Sequence, residues 1–520
     1  MNTMIRKLPE GWQPSTLDEI AEIIRGVTFP SGEKQSEHSV GSVMCLRTSN
    51  IQDEVEWDDV LYIPSGYVKS ADRWLQPSDT LISMANSYEL VGKVALLKRI
   101  PDKVTFGGFI AAVRTRGIDP KFLFFSLREP ETKERIRRSS SRTVNIANIS
   151  LKTLQPTEIL VPPLAEQRRI VAKIEALQER SRKAREALAE LGPLLEQFRQ
   201  SLLAAAFRGD LTADWRAANP NVEPASELLN RIRQERRRHW EESEQAKFGK
   251  KNTEPKNDKW KEKYPESQPF KFDGELPEIP QTWEWANWDS LTMWVTYGFT
   301  RPMPHVQTGP MIVTAKNVRN EGLRLDVVDH TTEEAFAELN PKDLPIPGDI
   351  LIIKDGATTG RAALVPDDIG EFCINQSVGV VWLKYSPMHR LFLLRWVQSP
   401  LIQKMIQEAM AGMAMPHLSV TDFKAMPVPI PPLEEQLAIC EALEFILGTA
   451  DSLLASTVES ESELNQLDQS ILAKAFRGDL VPQDPNDEPA SVLLERIRAK
   501  REAADSRKSG KRKEVSNARK

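Results

Sequence analysis

The sequence predicts an α/β chain. Two globular domains of mixed α/β fold are separated by two long antiparallel coiled-coil helices, and the whole is a pseudo-twofold internal repeat. Three observations predict it. First, "PPLAEQRRI" begins at Pro162 and "PPLEEQLAI" at Pro431, 269 residues later, and each opens a stretch that closes on "AFRGDL", at Ala206 and again at Ala475. Self-similarity at a fixed distance comes before any other signal, because missing it misreads the fold. Second, each copy carries a sustained heptad seam. Third, the stretches 8–160 and 277–430 hold short β-rich runs such as "DILII" from Asp349 and "VGVVWL" from Val378, divided by Gly and Pro turns.

The repeat reaches beyond the helices. "EPASELLNRIR" from Glu223 returns as "EPASVLLERIR" from Glu488, and "LPEGW" at Leu8 faces "IPQTW" at Ile279. The expected organisation is a first globular domain over 1–161, a central helical region over 162–248 and a Lys- and Pro-rich linker over 249–276. A second globular domain follows over 277–430, then a C-terminal helical region over 431–505 and a basic disordered tail over 506–520.

In the first long helix Ile170, Ile174, Leu177, Ser181, Ala184, Leu188, Leu191, Leu195, Phe198, Leu202 and Ala205 alternate steps of four and three. Ile439, Leu443, Ile446, Ala450, Leu453, Thr457, Ser460, Leu464, Leu467 and Ile471 repeat the pattern. Prolines stand at both starts and Gly209 and Gly478 at both ends, as helix punctuation requires. Gly192-Pro193 marks an expected kink. The first helix is rich in base (Arg168, Arg169, Lys173, Arg180, Arg182, Lys183, Arg185, Arg199), the second in acid (Glu434, Glu435, Glu441, Glu444, Asp451, Glu459, Glu461, Glu463, Asp468). The alternative is two separate amphipathic helices, each packed on its own domain; opposite charge beside an apolar seam favours a pair. The shorter helices after Pro224 and Pro489 read as too charged to be core.

The globular parts keep a thin correspondence. Asp79-Thr80-Leu81-Ile82 faces Asp349-Ile350-Leu351-Ile352, and Gly92-Lys93 faces Gly360-Arg361. Elsewhere they diverge. Two different heads above two similar helices point to two different things being read.

Composition narrows the rest. A chain of 520 residues holds two or three domains, and a net charge of −5 carries no global mark of a nucleic-acid binder, so any such surface is local. Cys45, Cys373 and Cys440 form no CxxC and have no His cluster beside them, which fits a reduced compartment and argues against a zinc module. "MNTMIRKLPEGWQPS" lacks the apolar core of a signal peptide, and no apolar run is long enough for a bilayer. The expected location is the cytoplasm.

Taken together, "PPLAEQRRIVAKIEAL", "PPLEEQLAICEALEFIL", the paired "AFRGDL" and "PGDILIIKDGATTGRAAL" make the chain resemble, over nearly its whole length, the specificity subunit of type I restriction–modification enzymes. The resemblance implies two target-recognition domains, each reading one half of an asymmetric, interrupted site in double-stranded DNA. It implies helices that space the domains and dock two methyltransferase subunits, with restriction subunits joining that core. Adenine methylation, AdoMet, ATP and magnesium would then belong to the partners, and the chain itself would hold no cofactor. The first head departs from the pattern: "PSDTLISMANSYELVGKVAL" lacks the pair Asp355-Gly356.

Base edges are read by Arg, Lys, Asn and Gln, and phosphates by Arg, Lys, Ser, Thr and backbone N–H. The first head offers Arg47, Thr48 and Asn50 in "LRTSN", Asn86 and Tyr88 in "ANSY", Lys93 after Gly92, and Arg135, Arg138, Ser140 and Arg142 in "RIRRSSSRTVN". The second offers Lys316, Asn317 and Arg319 in "TAKNVRN", Lys354, Thr358, Thr359 and Arg361 in "KDGATTGR", and Asn375 and Gln376 in "NQS". The alternative for each is an ordinary solvated loop.

Catalytic motifs are missing. There is no Asn/Asp-Pro-Pro-aromatic tetrapeptide, "DGATTG" lacks the Lys-Ser/Thr of a phosphate-binding loop, and no Glu-x-Lys follows "PDDIGEF" at Pro366. His305, His330 and His417 are scattered without metal-ligand spacing. The expectation is a non-catalytic chain with neither catalytic nor metal-binding residues. Two other readings remain at this point. A coiled-coil adaptor that binds only protein explains the seam but not two divergent Gly/Asn/Arg-rich heads. A recognition part with fused catalysis is opposed by the missing motifs.

Overall fold

The computed structural model describes residues 8–142, 146–250, 255, 257–267, 269–292, 294–384 and 386–517. In chain order the first head contains β1 (Gln13–Thr16), β2 (Ala21–Arg25), β3 (Thr80–Ser83), β4 (Ala85–Asn86), β5 (Val94–Leu96) and β6 (Ile110–Thr115). Helices α1 (Pro120–Arg128) and α2 (Pro130–Arg138) follow, then β7 (Ser141–Arg142), β8 (Ala147–Asn148) and β9 (Glu158–Val161). Next come the long helix α3 (Leu164–Arg208) and α4 (Ala225–Lys250). The second head contains β10 (Glu284–Asn287), β11 (Trp294–Tyr297), β12 (Ile350–Ile353), β13 (Ala362–Leu364) and β14 (Val378–Trp382). It ends with α5 (Arg390–Val397), α6 (Pro400–Ala409) and β15 (Pro427–Ile430). The second long helix, α7 (Leu433–Arg477), and α8 (Ala490–Asn517) close the chain.

Each head is built on an antiparallel four-stranded sheet, β2-β6-β3-β5 in the first and β11-β14-β12-β13 in the second. The "DTLI" and "DILI" runs supply the inner strands β3 and β12. Both strands are buried on both faces because side chains alternate across a strand. Ile82 enters the core shared with the helices while Leu81 enters a separate core beneath a smaller three-stranded sheet; Ile352 and Leu351 divide the same way. The aspartate before each strand, Asp79 or Asp349, accepts a backbone N–H three residues upstream and so shapes the entry turn.

The chain forms two compact units, residues 1–189 with 457–520 and residues 190–456. Unit 1 holds the first head, residues 164–189 of α3, residues 457–477 of α7, and α8. Unit 2 holds the second head, residues 433–456 of α7, residues 190–208 of α3, and α4. Each head therefore sits on the start of its own long helix and on the end of the helix that follows the other head. Within unit 1, Arg169 pairs with Asp487 (2.5 Å) and Arg185 with Asp468 (2.7 Å), so rising numbers on α3 meet falling numbers on the other side. Within unit 2, Arg199 pairs with Asp451 and Arg216 with Glu435, in the same antiparallel sense. Of the basic residues expected to face acid on the partner helix, Arg182 instead pairs within its own helix, with Glu179 and Glu186. The seam is buried where it lies against a head, at Ile170, Ile174, Leu202, Ile439 and Leu443, whereas Phe198, Leu453 and Leu467 stay exposed. Helix α3 runs unbroken through Pro193.

The repeated words each have a structural task. Glu166 and Gln167, of "PPLAEQ", are buried at the start of α3. Glu166 accepts the indole N–H of Trp12 (3.1 Å), and Gln167 donates to the Pro162 carbonyl while accepting the Asp119 N–H that leads into α1. Glu435 and Gln436 do the same for Trp283 (2.8 Å), Pro431 and the His389 N–H ahead of α5. The phenylalanine of "AFRGDL" then closes the other end: Phe476 meets Phe122, and Phe207 meets Phe392 and Trp396. The glycine after it must be glycine. Gly209 and Gly478 have φ of +82° and +83°, and a Cβ at either would collide with Pro280 or Pro9 of the "IPQTW" and "LPEGW" turns.

The short helices differ from expectation. Their first two turns carry an apolar stripe among the charges. Ala225, Leu228, Leu229 and Ile232 form a buried stripe in unit 2, and Ala490, Leu493, Leu494 and Ile497 form the same stripe in unit 1. Ala490 N–H donates to the Gly11 carbonyl and Ala225 N–H to the Thr282 carbonyl, so each "EPAS" start is stitched to the tryptophan turn of the head in its unit. In the linker range, Trp260 stacks on Trp240 and its edge meets Phe248; residues 251–254, 256 and 268 of that range lie outside the described residues. The backbone of α8 continues to Asn517, and 518–520 lie outside the described residues.

Two stability measurements follow. Glu435 is fully buried and takes hydrogen bonds from Trp283, Thr212 and Arg216. Glu435→Ala leaves the Trp283 indole N–H and the half-buried Arg216 without their carboxylate and is expected to cost about 1–3 kcal/mol, read as a lower urea midpoint by tryptophan fluorescence. Glu166 has Trp12 but no such arginine bond, and burial pushes its carboxyl above the usual carboxylate range, against Trp12 and Arg169. A raised folded pKa gives stability that is present below the unfolded pKa and lost as pH rises through the folded one. Urea midpoints taken between about pH 4 and pH 8 should therefore fall less steeply for Glu166→Gln than for the parent chain.

Candidate nucleic-acid interface

In the first head β4, β7 and β8 form a small antiparallel ribbon in the order β7-β8-β4. Its register sets Arg142 opposite Ala147 and Ala147 opposite Asn86, so Arg142 and Asn86 share one row. Tyr88 lies under the row: the Arg142 guanidinium stands 3.4 Å from its ring centre and that of Arg137 stands 5.0 Å away. A planar cation on an aromatic face is held in orientation while its N–H groups stay available. Asn86, Tyr88 and Arg142 are thus brought together as one platform. Arg137, absent from the sequence-derived set, belongs to it. Residues 143–145 of the "RTVN" run lie outside the described residues.

The expected Arg135–Arg142 cluster divides. Arg135 donates to Thr132 Oγ1 (3.1 Å) and the Glu158 carbonyl (3.3 Å), beside β9 rather than beside the ribbon. Arg138 is exposed and bonds Glu134 one turn back (2.8 Å). Ser140 donates to the Arg137 carbonyl and closes the helix end. In the "LRTSN" loop Arg47 pairs with Asp59, and Asn50 is buried, its amide accepting the Arg47 N–H and donating to the Asp58 carbonyl. Asn50 shapes the loop; Thr48 is half-exposed within it. Lys93 donates to Gln52, which ties this loop to the one after β4.

The second head puts different chemistry in the same place. Ile149 N–H bonds the Met84 carbonyl in one head and Leu418 N–H bonds the Lys354 carbonyl in the other, both at 2.8 Å. The bridge Asp355↔His417 accordingly stands where Ala85 pairs with Asn148. Lys354 is buried, its ammonium 5.1 Å from the Tyr297 ring centre and 2.7 Å from Asp355 Oδ2; Asp355 Oδ1 meets His417 Nδ1 at 2.6 Å. Burial works to raise the Asp355 carboxyl, and Lys354 and His417 outweigh it, leaving it below the usual range. Gly356 and Gly360, with φ of +97° and +94°, turn the loop tightly, and Thr359 donates to the Gly356 carbonyl across it. Thr358 is half-exposed, and Arg361 and Gln376 are exposed at its rim. Asn375 accepts from the Ser377 hydroxyl (2.6 Å).

Asn317 is the counterpart of Asn50 in role. It is buried, accepts from Thr314 N–H and Oγ1, and donates to the Arg324 and Val327 carbonyls. Lys316 bonds Asp329 (2.6 Å) and Arg319 bonds the Val318 carbonyl (3.0 Å), and both keep exposed surface. Tyr297 and His417 were missed in the sequence because their partners lie about 60 residues or more away; only the topology joins them. Among the described residues, no group of three or more His, Cys, Asp or Glu is placed to hold a metal, and no helix is long and apolar enough to cross a membrane.

The profile of the type I restriction modification DNA specificity domain matches residues 9–191 and 307–454. The chain belongs to that family. It is similar to the EcoBI and EcoKI type I restriction enzyme specificity subunits of Escherichia coli, each 25% identical over 97% and 98% of this chain and 95% and 99% of theirs. Among solved structures, one of a type I restriction–modification system covers 91% of this chain and 99% of its own at TM-score 0.58 and 20% identity. The HsdS subunit of Thermoanaerobacter tengcongensis covers 92% and 100% at TM-score 0.53 and 21% identity. As a specificity subunit the chain is the non-catalytic, DNA-recognising component of a type I system, and the protein-only adaptor reading is not favoured.

The buried asparagine separates the frame of the loop from its exposed rim in this specificity subunit. Asn317→Ala leaves two carbonyls and an N–H without partners and should lower the unfolding free energy from urea titration by about 1–3 kcal/mol. Arg319→Ala, at a partly exposed side chain, should stay within about 0.5 kcal/mol. Equal losses would remove Asn317 from the frame.

Proposed function

We propose that each head reads one half of an asymmetric, interrupted site in double-stranded DNA, and that the ribbon of the first head and the Asp355–His417 loops of the second are the reading surfaces. The observation that carries this is one backbone frame filled with different side chains. Met84, Ala85 and Asn148 of the first head are matched by Lys354, Asp355 and His417 of the second. A shared frame docks alike on a duplex, and divergent side chains then select different bases. In the first head Asn86 and Arg142 have base-reading chemistry, and Tyr88 holds Arg142 in place. In the second, Arg361 and Gln376 have it, with Lys316, Arg319, Thr358 and Thr359 suited to phosphates.

Two methyltransferase subunits are proposed to dock on the long helices, with restriction subunits joining them. The helices offer apolar surface for this: in unit 2 Leu194, Phe198, Phe445 and Leu454 stay exposed on α3 and α7. The two 45-residue helices then space the heads. The three buried, unpaired cysteines suit the cytoplasm.

The test uses the full chain bound to its methyltransferase partners and competing duplexes with either half-site scrambled. Arg361→Ala with Gln376→Ala should cost about 1–3 kcal/mol of discrimination in the second half-site and leave preference in the other half unchanged. Loss confined to the half read by the first head would refute the assignment.

A further inference from the structure

The two heads repeat the same helix with opposite chemistry. Helices α2 and α6 align through Pro130 with Pro400 and Ile136 with Ile406, which sets Arg128 against Gln398, Lys133 against Gln403 and Arg137 against Gln407. In the second head the neutral amides close the structure: Gln398 donates to the Asn320 and Ala362 carbonyls and Gln403 to those of Gly360 and Val397. In the first head the cations instead border an open cleft of about 780 Å³ between the head and residues of α3 and α7 in unit 1. Five cations, Lys93, Arg128, Lys133, Arg137 and Arg185, line it with three carboxylates, Asp53, Glu134 and Asp468.

The carboxylates are already engaged, with Arg128, Arg137 and Arg185 respectively. Among the described residues Lys93 donates to the neutral Gln52 and has no ion pair. Lys133 is half-buried and has no ion pair among the described residues. Burial, with Arg128, Arg137 and Lys93 around it, holds its ammonium below the usual lysine range. A cation kept charged among cations is unfavourable until an anion enters. The cleft shares Arg137 with the proposed reading platform, since Arg137 both lines the cleft and lies over Tyr88.

We propose that this cleft binds a phosphate group, with Lys133 at its centre and Lys93 and Arg137 flanking it. The Arg137 shared with the platform favours a phosphodiester of the duplex over a free polyphosphate. The second head carries Gln398, Gln403 and Gln407 at the corresponding positions. This rests on the DNA-recognition reading and adds a sequence-independent anchor on one side only.

The experiment compares the parent chain, Lys133→Gln, Lys133→Arg and, as a control on α6, Lys404→Gln, each bound to methyltransferase subunits. Glutamine is the residue the second head carries at this place, and unfolding midpoints verify that each variant is folded. Lys133→Gln is expected to reduce the slope of log affinity against log salt by about 0.9, one phosphate's worth, equally on cognate and scrambled duplexes, with Lys133→Arg and Lys404→Gln unchanged. Sodium tripolyphosphate at low salt forms a second arm. If it raises the midpoint of the parent but not of Lys133→Gln while the DNA slopes coincide, the phosphate comes from a free ligand. Coincident slopes with no tripolyphosphate effect would overturn the site. A parent complex that binds no DNA would refute the recognition reading instead, and the tripolyphosphate arm would still decide the cleft.

Discussion

A buried carboxylate facing an indole N–H is the constraint on which each unit is organised. Glu166 with Trp12 and Glu435 with Trp283 join the first residues of a long helix to the first turn of a head. Neither group tolerates isolation in a low-dielectric interior. The neighbouring glutamine adds a second fixed point, since one amide joins the prolines before the helix to the start of a head helix. Head and long helix are thus held by hydrogen bonds of defined direction, where apolar packing alone would allow rotation about the helix axis.

The same turn receives the other repeat. Pro9 lies against Gly478 and Pro280 against Gly209, and the backbone of each turn accepts the first N–H of α8 or α4. The end of one half-repeat is therefore complementary to the beginning of the other. This is why the chain writes the element twice with so little change in these words. Each copy must fit its own head at one end and the other head at the opposite end, so a substitution in one copy meets two partners. The heads carry no such double requirement beyond their bases, and there the two halves are free to differ.

Much of the architecture was legible because it is written in spacing. The repeat, the heptad seam and the terminal glycines are local patterns, and the fold and family follow from them. The stripe Leu228, Leu229, Ile232 was also present in the sequence, but charge averaged over the whole helix hid it. Side-chain duty was less legible. Asn50 and Asn317 look like base readers by residue type, yet both are buried in turns where loop backbone needs a donor and an acceptor. Arg135 and Arg142 are seven residues apart, and the helix end at Arg138 sends them to different surroundings. His417 was set aside for want of metal spacing; its partner Asp355 is reached only through the bridge between distant loops.

These failures share a cause that also bears on how such a chain diversifies. In both heads the loops are fixed mainly by backbone hydrogen bonds, such as Ile149 to Met84 and Leu418 to Lys354, together with a buried asparagine. Because the frame depends so little on the side chains at its rim, those positions change without loss of fold. Tyr88 under Arg142 and Tyr297 under Lys354 are two solutions to one problem, the orientation of a cation beside a bare loop, one reached from the turn after β4 and the other from β11. On the proposed reading, the chemistry that distinguishes one target from another is therefore concentrated where sequence carries least structural information, and is read from geometry.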